Sequence, residues 1–288
     1  MTPDQYCQDK AAKSGSSFYY SFLFLPEQRR RAITALYAFC REVDDVVDEC
    51  SEPSIARTKL EWWRDEIQAT FAGRPHHPVS RALVPALERY GLAEEHFQEI
   101  IDGMQMDLDY DAYPSFKELS LYCYRAASVV GLLAAEIFGY EDRRTTKYAH
   151  DLGMALQLTN ILRDVREDLS RGRIYIPLDE LERFGVGTGD LGSPQTPERV
   201  RELFAFQGER AKGYYDRALA QLPEIDRHSQ RSGLIMAAIY RRLLEEIEAD
   251  GYRVLEHRMR LTPLRKLWIA WRTSRRERRR HRKLAAQS

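Results

Sequence analysis

The chain has 288 residues, which is long enough to bury a sizeable core, and no break in composition divides it into two domains. Its first residues lack the charged-then-apolar order of a secretion signal, and no stretch approaches the roughly 20 apolar residues of a membrane-spanning helix. The four cysteines form no C-x-x-C pair, so we expect reduced thiols in a cytosolic protein rather than disulfides or a zinc site.

The formal net charge of zero hides an uneven distribution. From Leu261 onward there are ten Lys or Arg and one acid, Glu277, so this tail carries about +9 and the remainder about −9. The acidic part suits divalent cations, whereas the basic tail suits an anionic surface. We therefore expect one domain over residues 1–260 and a basic amphipathic tail over residues 261–288.

Apolar residues recur at three- and four-residue steps along the chain, which predicts an all-α fold. The first long helix is predicted from Pro26 to about Glu49, the next follows Pro53, and Pro78 and Gly91 bracket a third. Further helices are predicted over residues 93–111, 115–139, 143–169, 197–222 and 232–259. Together they predict an antiparallel bundle.

The segment from Ser170 to Pro197 interrupts this pattern because it gathers five glycines and three prolines. A loop is predicted here. Its length fits either a mobile lid over a site or an ordinary connector between two helices.

Two acidic segments share one helical geometry. In YAFCREVDDVVDE, one face carries four polar residues at i, i+4, i+7 and i+11, namely Tyr37, Arg41, Asp44 and Asp48. In QLTNILRDVREDL, one face carries another four at i, i+3, i+7 and i+11, namely Gln157, Asn160, Asp164 and Asp168. We call these sets the first and the second acidic stripe. They would match if their helices faced each other.

Like charges four residues apart on a helix repel by a few tenths of a kcal/mol, and a bound cation removes that cost. Oxygen ligands without His or Cys favour a hard ion, and Mg²⁺ takes one or two carboxylates while water and phosphate complete its octahedron. The stripes therefore predict a site for Mg²⁺, with Mn²⁺ as a substitute, and a diphosphate. The alternative is that each stripe is a solvated acidic face.

Two arginines and one further acidic run leave alternatives open. Arg41 and Arg163 can either neutralise neighbouring carboxylates or clamp phosphate oxygens. The run IDGMQMDLDYDAY should be mostly solvated, and Asp107 is its one member that we consider for the site.

Three segments resemble the squalene and phytoene synthase family: SGSSFYYSFLFLPEQRRRAITALYAFCREVDDVVDE, LYCYRAASVVG and ALQLTNILRDVREDLSRGRIYIP. They span residues 14–177, and helical patterning extends the likeness to about residue 260. Within the family, the SGSSFYYSFLFLP opening is most similar to bacterial presqualene diphosphate synthases of hopanoid pathways, the HpnD type. The resemblance implies an all-α isoprenoid-synthase helical bundle with a central active-site cavity.

For the activity, the resemblance implies a transferase that joins two prenyl diphosphates head to head (1′-1). In the presqualene subgroup, both substrates would be farnesyl diphosphate, and the products would be presqualene diphosphate and diphosphate. The donor would ionise with the help of Mg²⁺, and NADPH is not expected. Downstream enzymes of the hopanoid pathway are implied as partners.

By matched position, the resemblance places Mg²⁺ on five residues, Asp44, Asp48, Asn160, Asp164 and Asp168, with Gln157 assisting. It implies diphosphate contacts for six residues, Ser17, Tyr37, Arg41, Arg163, Tyr240 and Arg258. Tyr124 would line the site near the cation or proton-transfer step. Some family members have His-Ser-Lys-Ser at residues 14–17, so Ser14 and Gly15 receive no role here.

The interior of such a site would be apolar. Five small residues could open a channel for a prenyl tail or only allow close helix packing; they are Ala126, Ala127, Gly131, Ala134 and Ala135. Aromatic faces would each stabilise an allylic cation by about 0.5–2 kcal/mol.

Other functions fit parts of the sequence. Phytoene or dehydrosqualene synthesis is the nearest rival, and squalene synthesis with NADPH stays open because reductive family members need no Rossmann domain. A class I terpene cyclase fits the intervals between Asn160, Asp164 and Asp168, but two paired stripes favour condensation. A membrane-associated assembly factor on the same fold would be expected to lose the paired acids, and all four are present.

The tail combines four apolar residues, Leu264, Leu267, Trp268 and Trp271, with a dense basic run. This composition is typical of an amphipathic anchor on an anionic membrane, and a solubilising basic end is the alternative. The acidic remainder of the chain argues against a nucleic-acid partner. We expect a cytoplasmic protein whose tail contacts the inner face of the plasma membrane peripherally.

Overall fold

The computed structural model describes residues 1–13, 17–50 and 52–286; the side chain of Ser17 lies outside the described part. Thirteen α-helices occur there: α1 Pro3–Lys13, α2 Ser17–Phe22, α3 Glu27–Glu49, α4 Pro53–Phe71, α5 Pro78–Tyr90, α6 Glu94–Asp109, α7 Phe116–Cys123, α8 Val129–Phe138, α9 Arg144–Ser170, α10 Leu178–Arg183, α11 Glu198–Gln221, α12 Arg231–Ala249 and α13 Pro263–Ala285. No strand is found in these ranges, apart from a single isolated bridge between Ala112 and Ile174. The predicted all-α fold is confirmed.

Helix ends follow the local signals in most places. Pro53 and Pro78 stand at the first positions of α4 and α5, and Gly91 ends α5 in the left-handed conformation with φ 62°. The helix predicted over residues 232–259 is too long. It ends at Ala249 because Gly251 and then Tyr252 adopt positive φ values of 71° and 56°.

The helix predicted over residues 115–139 is interrupted by a π-helical turn, Tyr124–Ser128, between α7 and α8. By length and composition, Phe116–Phe138 could cross a membrane, contrary to the expectation that no stretch could. It packs inside the bundle, however, where Val129 and Leu133 are fully buried. The segment therefore belongs to the core of the bundle. Its π turn interrupts the regular α-helical hydrogen bonding, and such turns often occur at functional sites.

The segment after α9 is more ordered than a plain loop. It contains α10 and a 3₁₀ turn, Thr188–Gly192. Residues 171–175, between α9 and α10, return to the end of α6: the Ile174 amide donates to the Asp111 carbonyl at 2.8 Å. This contact brings the basic residues that follow the second stripe toward the first.

The long helix α9 lies at the centre of the bundle, in contact with α8, α11 and α12. Glycines allow it to approach the π turn and α8 closely. A Cβ atom on Gly153 would lie 2.5 Å from the Ser128 Cα, and one on Gly131 would lie 2.7 Å from the Ala149 carbonyl oxygen. The basic tail forms α13, which packs against α12.

Candidate active site

A cavity lies between α2, α3, the π turn with α8, α9 and α12. It encloses about 230 Å³ accessible to the centre of a water molecule. Aromatic side chains line it, namely Phe18, Phe22, Tyr37, Tyr122, Phe138 and Tyr148. The five small residues considered for a prenyl channel line it as well, and Gly131 also allows close helix packing. The interior is therefore a mostly apolar pocket that could take a long hydrocarbon.

The two stripes reach the same cavity. Arg41 and Asp44 of α3 line it together with Gln157 and Asn160 of α9. The Asn160 Oδ1 atom is buried and has no hydrogen-bond partner, although its Nδ2 lies 3.5 Å from the Gln157 Oε1 atom. An unpaired buried acceptor is costly, so this oxygen is suited to a ligand that supplies positive charge.

In the first stripe, Arg41 divides its guanidinium between two carboxylates. Its Nη1 donates to Asp44 and its Nη2 to Asp45, each at 2.5 Å. Burial and then the nearby Asp48 raise the pKa of Asp44 to about 6, even though Arg41 opposes the shift. The negative charge of Asp44 is thus only partly compensated by the protein.

In the second stripe, two arginines hold Asp164. Arg163 donates to it through Nε at 2.7 Å and also through Nη2, and the Arg258 Nε donates to the same carboxylate at 2.8 Å. Burial, followed by Asp164, raises the pKa of Asp168 to about 7. Each stripe therefore contains one aspartate whose charge is disfavoured without a further cation.

Arg171 and Arg173 connect the ends of the two stripes. The Arg171 Nη1 lies 2.9 Å from the Asp48 Oδ2, and the Arg173 Nη1 lies 2.8 Å from the Asp48 Oδ1. Arg173 also donates to the Val47 carbonyl oxygen at 2.9 Å. No role was predicted for either arginine from the sequence. The available signal was their position directly after the second stripe, in the segment DLSRGRIYIP.

Asp107 interacts electrostatically with one aspartate of each stripe, Asp44 and Asp168. It accepts hydrogen bonds from the Tyr175 hydroxyl at 2.7 Å and from the Tyr122 hydroxyl at 3.3 Å. Burial raises its pKa to about 7, Arg173 lowers it, and Asp44 adds to the increase. Asp107 in turn raises the pKa of Asp168. Asp107, the one member of its acidic run considered for the site, thus does lie near it. Its hydrogen bonds to the buried Tyr122 and Tyr175 were not predicted from the sequence.

Of the other residues predicted to contact diphosphate, Tyr37 and Tyr240 lie at the site, and the side chain of Ser17 is not described. Tyr37 lines the cavity, and its ring lies 5.7 Å from that of Phe18. Tyr240 is buried, hydrogen bonds to Arg163 and faces the Phe18 ring at 6.5 Å. Ser17 begins α2, but its side chain lies outside the described residues.

Tyr124 does not take its predicted place on the cavity wall. Its ring packs near His150, with the ring centroids 5.9 Å apart, and the wall position belongs to Tyr122. Residues two apart on a helix point about 200° apart, so Tyr122 and Ala126 share the cavity face and Tyr124 does not.

The donor set fits Mg²⁺. Within the described ranges, no three or more His, Cys, Asp or Glu side chains are clustered as a complete site for a single ion. Mg²⁺ does not require such a cluster, because it usually binds one or two carboxylates and fills its other positions with water and phosphate oxygens. Asp44 and Asp168 with disfavoured charges, and the unpaired Asn160 oxygen, are suitable ligands of that kind.

The fold and site define a helical isoprenoid synthase. The squalene/phytoene synthase family model matches residues 11–265, and the chain belongs to that family, whose members are head-to-head prenyltransferases. The chain is 35% identical to the 15-cis-phytoene synthase of Synechocystis sp. over 280 residues, covering 92% of this chain and 83% of the relative.

Two solved structures extend this comparison. A ligand-bound dehydrosqualene synthase is similar with a TM-score of 0.87 and 28% identity, over 95% of this chain and 96% of that one. Squalene synthase HpnC from Alicyclobacillus acidocaldarius is similar with a TM-score of 0.79 and 28% identity, over 87% and 95%. The expected isoprenoid-synthase fold and family are confirmed.

Proposed function

We propose that this protein is a Mg²⁺-dependent phytoene synthase that joins two molecules of geranylgeranyl diphosphate head to head. The observation that supports a diphosphate site is the unpaired, buried Asn160 oxygen, which lines the same mostly apolar cavity as Asp44 and Arg41. The similarity to a 15-cis-phytoene synthase over 92% of the chain supports the product. Phytoene therefore replaces presqualene diphosphate as the leading proposal.

The arginines of the site would bind diphosphate by changing partners. Arg41, Arg163 and Arg258 now pair with carboxylates of the stripes. When those carboxylates turn to a cation, the guanidinium groups become available for bidentate contacts to phosphate oxygens. Asp44, Asp48, Asn160, Asp164 and Asp168 would hold Mg²⁺, which would neutralise the charge of the departing diphosphate.

The apolar cavity would then protect the reacting carbons. The donor C1–O bond breaks to give diphosphate and an allylic cation, and the electrons of the acceptor C2=C3 double bond form the new carbon–carbon bond. Phytoene formation releases two diphosphates and two protons overall, whereas presqualene diphosphate formation releases one of each. Phe18, Phe22 and Tyr37 on the wall exclude water and offer aromatic faces to the cation.

Condensation of two farnesyl diphosphates to presqualene diphosphate or dehydrosqualene is the second candidate. Two observations favour it: residues 17–22 of the SGSSFYYSFLFLP opening form α2, which contributes Phe18 and Phe22 to the cavity wall, and a dehydrosqualene synthase is similar over 95% of the chain. In both candidates the same stripes ionise the donor; the candidates differ in the length of the prenyl chain and, for presqualene diphosphate, in whether the second diphosphate is released.

Product analysis separates the candidates. Purified protein is incubated with Mg²⁺ and either geranylgeranyl or farnesyl diphosphate, with and without NADPH, and the products are identified by mass spectrometry. Phytoene from geranylgeranyl diphosphate supports the first proposal. Presqualene diphosphate or dehydrosqualene from farnesyl diphosphate alone supports the second, and squalene that requires NADPH extends it. No turnover of either substrate with Mg²⁺ would overturn both.

A further inference from the structure

The C-terminal helix α13 is fixed to the body of the protein by its inner face. The buried residues of this face are Ile269, Ala270, Thr273, Ser274 and Glu277. Glu277 accepts from the Arg227 Nε at 3.1 Å and from its Nη2 at 3.2 Å. At the same place, the His228 and His281 rings stack with their centroids 4.3 Å apart. The helix therefore presents its opposite face in a defined orientation.

The first half of the opposite face is apolar and exposed. It consists of four residues at i, i+3, i+4 and i+7: Leu264, Leu267, Trp268 and Trp271. Trp268 is 55% and Trp271 50% exposed. Single exposed apolar residues are ordinary, but four on one face over two turns form a patch that indicates an interaction surface.

The second half of the same face is basic. After Trp271, six cations of α13 form no ion pair with any carboxylate in the described residues: Arg272, Arg275, Arg278, Arg279, Arg282 and Lys283. The Arg272 guanidinium lies 5.1 Å from the Trp268 ring, and that of Arg275 lies 5.1 Å from the Trp271 ring. Unpaired arginines beside exposed indoles match the interface of a bilayer, where the ring lies among headgroups and the charge meets phosphate.

The first turn of α13 lies close to the wall of the cavity. The Lys266 ammonium lies 5.7 Å from the ring of Tyr20 on α2, and α13 contacts α2 directly. On its other side, α2 contributes Phe18 and Phe22 to the cavity lining. One short helix therefore separates the cavity from the neighbourhood of α13.

We propose that the outer face of α13 docks onto an anionic phospholipid bilayer, with Trp268 and Trp271 among the headgroups and the unpaired arginines against lipid phosphates. The four exposed apolar side chains, two of them indoles, favour a partner with an apolar phase, which a bilayer offers and a nucleic-acid backbone does not. This inference does not depend on the proposed function. If that function holds, docking would let a lipophilic product leave beside the membrane.

Vesicle flotation of the full chain without substrate tests the proposal. We expect binding to vesicles of phosphatidylcholine with phosphatidylglycerol, weak binding to phosphatidylcholine alone, and release by salt. Replacing Arg275→Gln and Arg279→Gln together should weaken binding on the order of 30-fold, because each basic residue contributes about fivefold near an anionic surface. Trp268→Ala with Trp271→Ala should weaken it on the order of tenfold or more.

Matched variants elsewhere control for general effects. Trp62→Ala removes a tryptophan on α4 that is 46% exposed, and Arg74→Gln with Arg89→Gln removes two exposed charges far along the chain from α13. Both controls should bind vesicles as the wild type does, and circular dichroism should show the same helix content in all variants.

Three outcomes would overturn the proposal. They are vesicle binding by the α13 variants equal to that of the wild type, no binding of the wild type to anionic vesicles, and a stable dimer that the α13 variants dissociate. Product formation is measured separately in detergent, so failure of the catalytic proposal remains distinguishable.

Discussion

Arg173 holds Asp48 at 2.8 Å and the Val47 carbonyl oxygen at 2.9 Å, so a residue just beyond the second stripe fixes the end of the first. The contact joins residues that are 125 positions apart in the chain. Because the Arg173 side chain is mostly buried, with 12% exposed, it defines the geometry between α3 and the end of α9 more firmly than a surface pair could.

Replacing Arg173→Ala should therefore reduce both stability and activity. Removing one partner of a mostly buried ion pair leaves Asp48 less compensated and should lower the free energy of unfolding by about 3 kcal/mol, measured by urea denaturation. The value of kcat should fall while the helix content stays. Arg57→Ala is the control, because Arg57 pairs with Asp109 at the surface and should change stability by less than about 1 kcal/mol. Equal effects of the two variants would contradict the role given to Arg173.

Replacing either of the two aspartates with raised pKa values should affect stability and activity in opposite directions. In the absence of Mg²⁺, Asp44→Asn and Asp168→Asn remove charges that burial disfavours, so each variant should be as stable as the wild type or more stable. Turnover should be lost in both, since a neutral amide is a weak Mg²⁺ ligand.

Thermal unfolding checks this prediction. Mg²⁺ with inorganic diphosphate should raise the Tm of the wild type and should do so much less in either variant. As a control, Asp109→Asn alters a surface aspartate paired with Arg57 and should retain the shift. Full turnover in both Asp44→Asn and Asp168→Asn would refute the metal site.

The pH dependence follows from the same groups. The pKa of Asp44 is raised to about 6 and that of Asp168 to about 7, so the folded protein binds more protons than the unfolded chain. Stability without Mg²⁺ should therefore be greatest at low pH from these groups and should decrease as pH rises from about 4 to 7. Catalysis should show the opposite trend, because only the carboxylates bind the cation.

Initial rates at several Mg²⁺ concentrations measure this competition. At limiting Mg²⁺, kcat/KM should fall as pH is lowered from about 7 to 6, and higher Mg²⁺ should move the fall to lower pH. A profile that is flat over this range, or that does not respond to Mg²⁺, would mean that Asp44 and Asp168 do not titrate in the free enzyme as proposed.

The sequence predicted what lies along one helix and missed what lies between helices. Asp44 and Asp164 were found because a period of 3.6 residues places each on a face with its neighbours. The pairing of Asp48 with Arg173 depends on how distant segments meet, which periodicity does not encode. The prediction for Tyr124 was wrong for a local reason: Tyr122, in the last turn of α7, faces the cavity, and Tyr124, two residues later, points away from it.

Tyr148 offers a test of what limits the length of the bound chain. It lines the cavity, is 1% exposed, and its hydroxyl has no hydrogen-bond partner. Asn160 follows it on α9 by twelve residues, so the two lie about 18 Å apart along the helix at 1.5 Å per residue. A prenyl chain whose diphosphate binds near Asn160 would thus reach Tyr148 at the far end of the cavity.

Replacing Tyr148→Ala should lengthen the cavity and raise the ratio of kcat/KM for geranylgeranyl over farnesyl diphosphate by about tenfold, since one methylene in an apolar pocket is worth about 1–3 kcal/mol. Tyr148→Phe is the matched control, because it keeps the ring and removes only the unpaired hydroxyl. It should leave the ratio unchanged and raise the free energy of unfolding by about 1 kcal/mol, as expected when a buried polar group without a partner is deleted. If Tyr148→Ala folds and binds Mg²⁺ with diphosphate but keeps the wild-type ratio, the end of the prenyl chain lies elsewhere in the cavity.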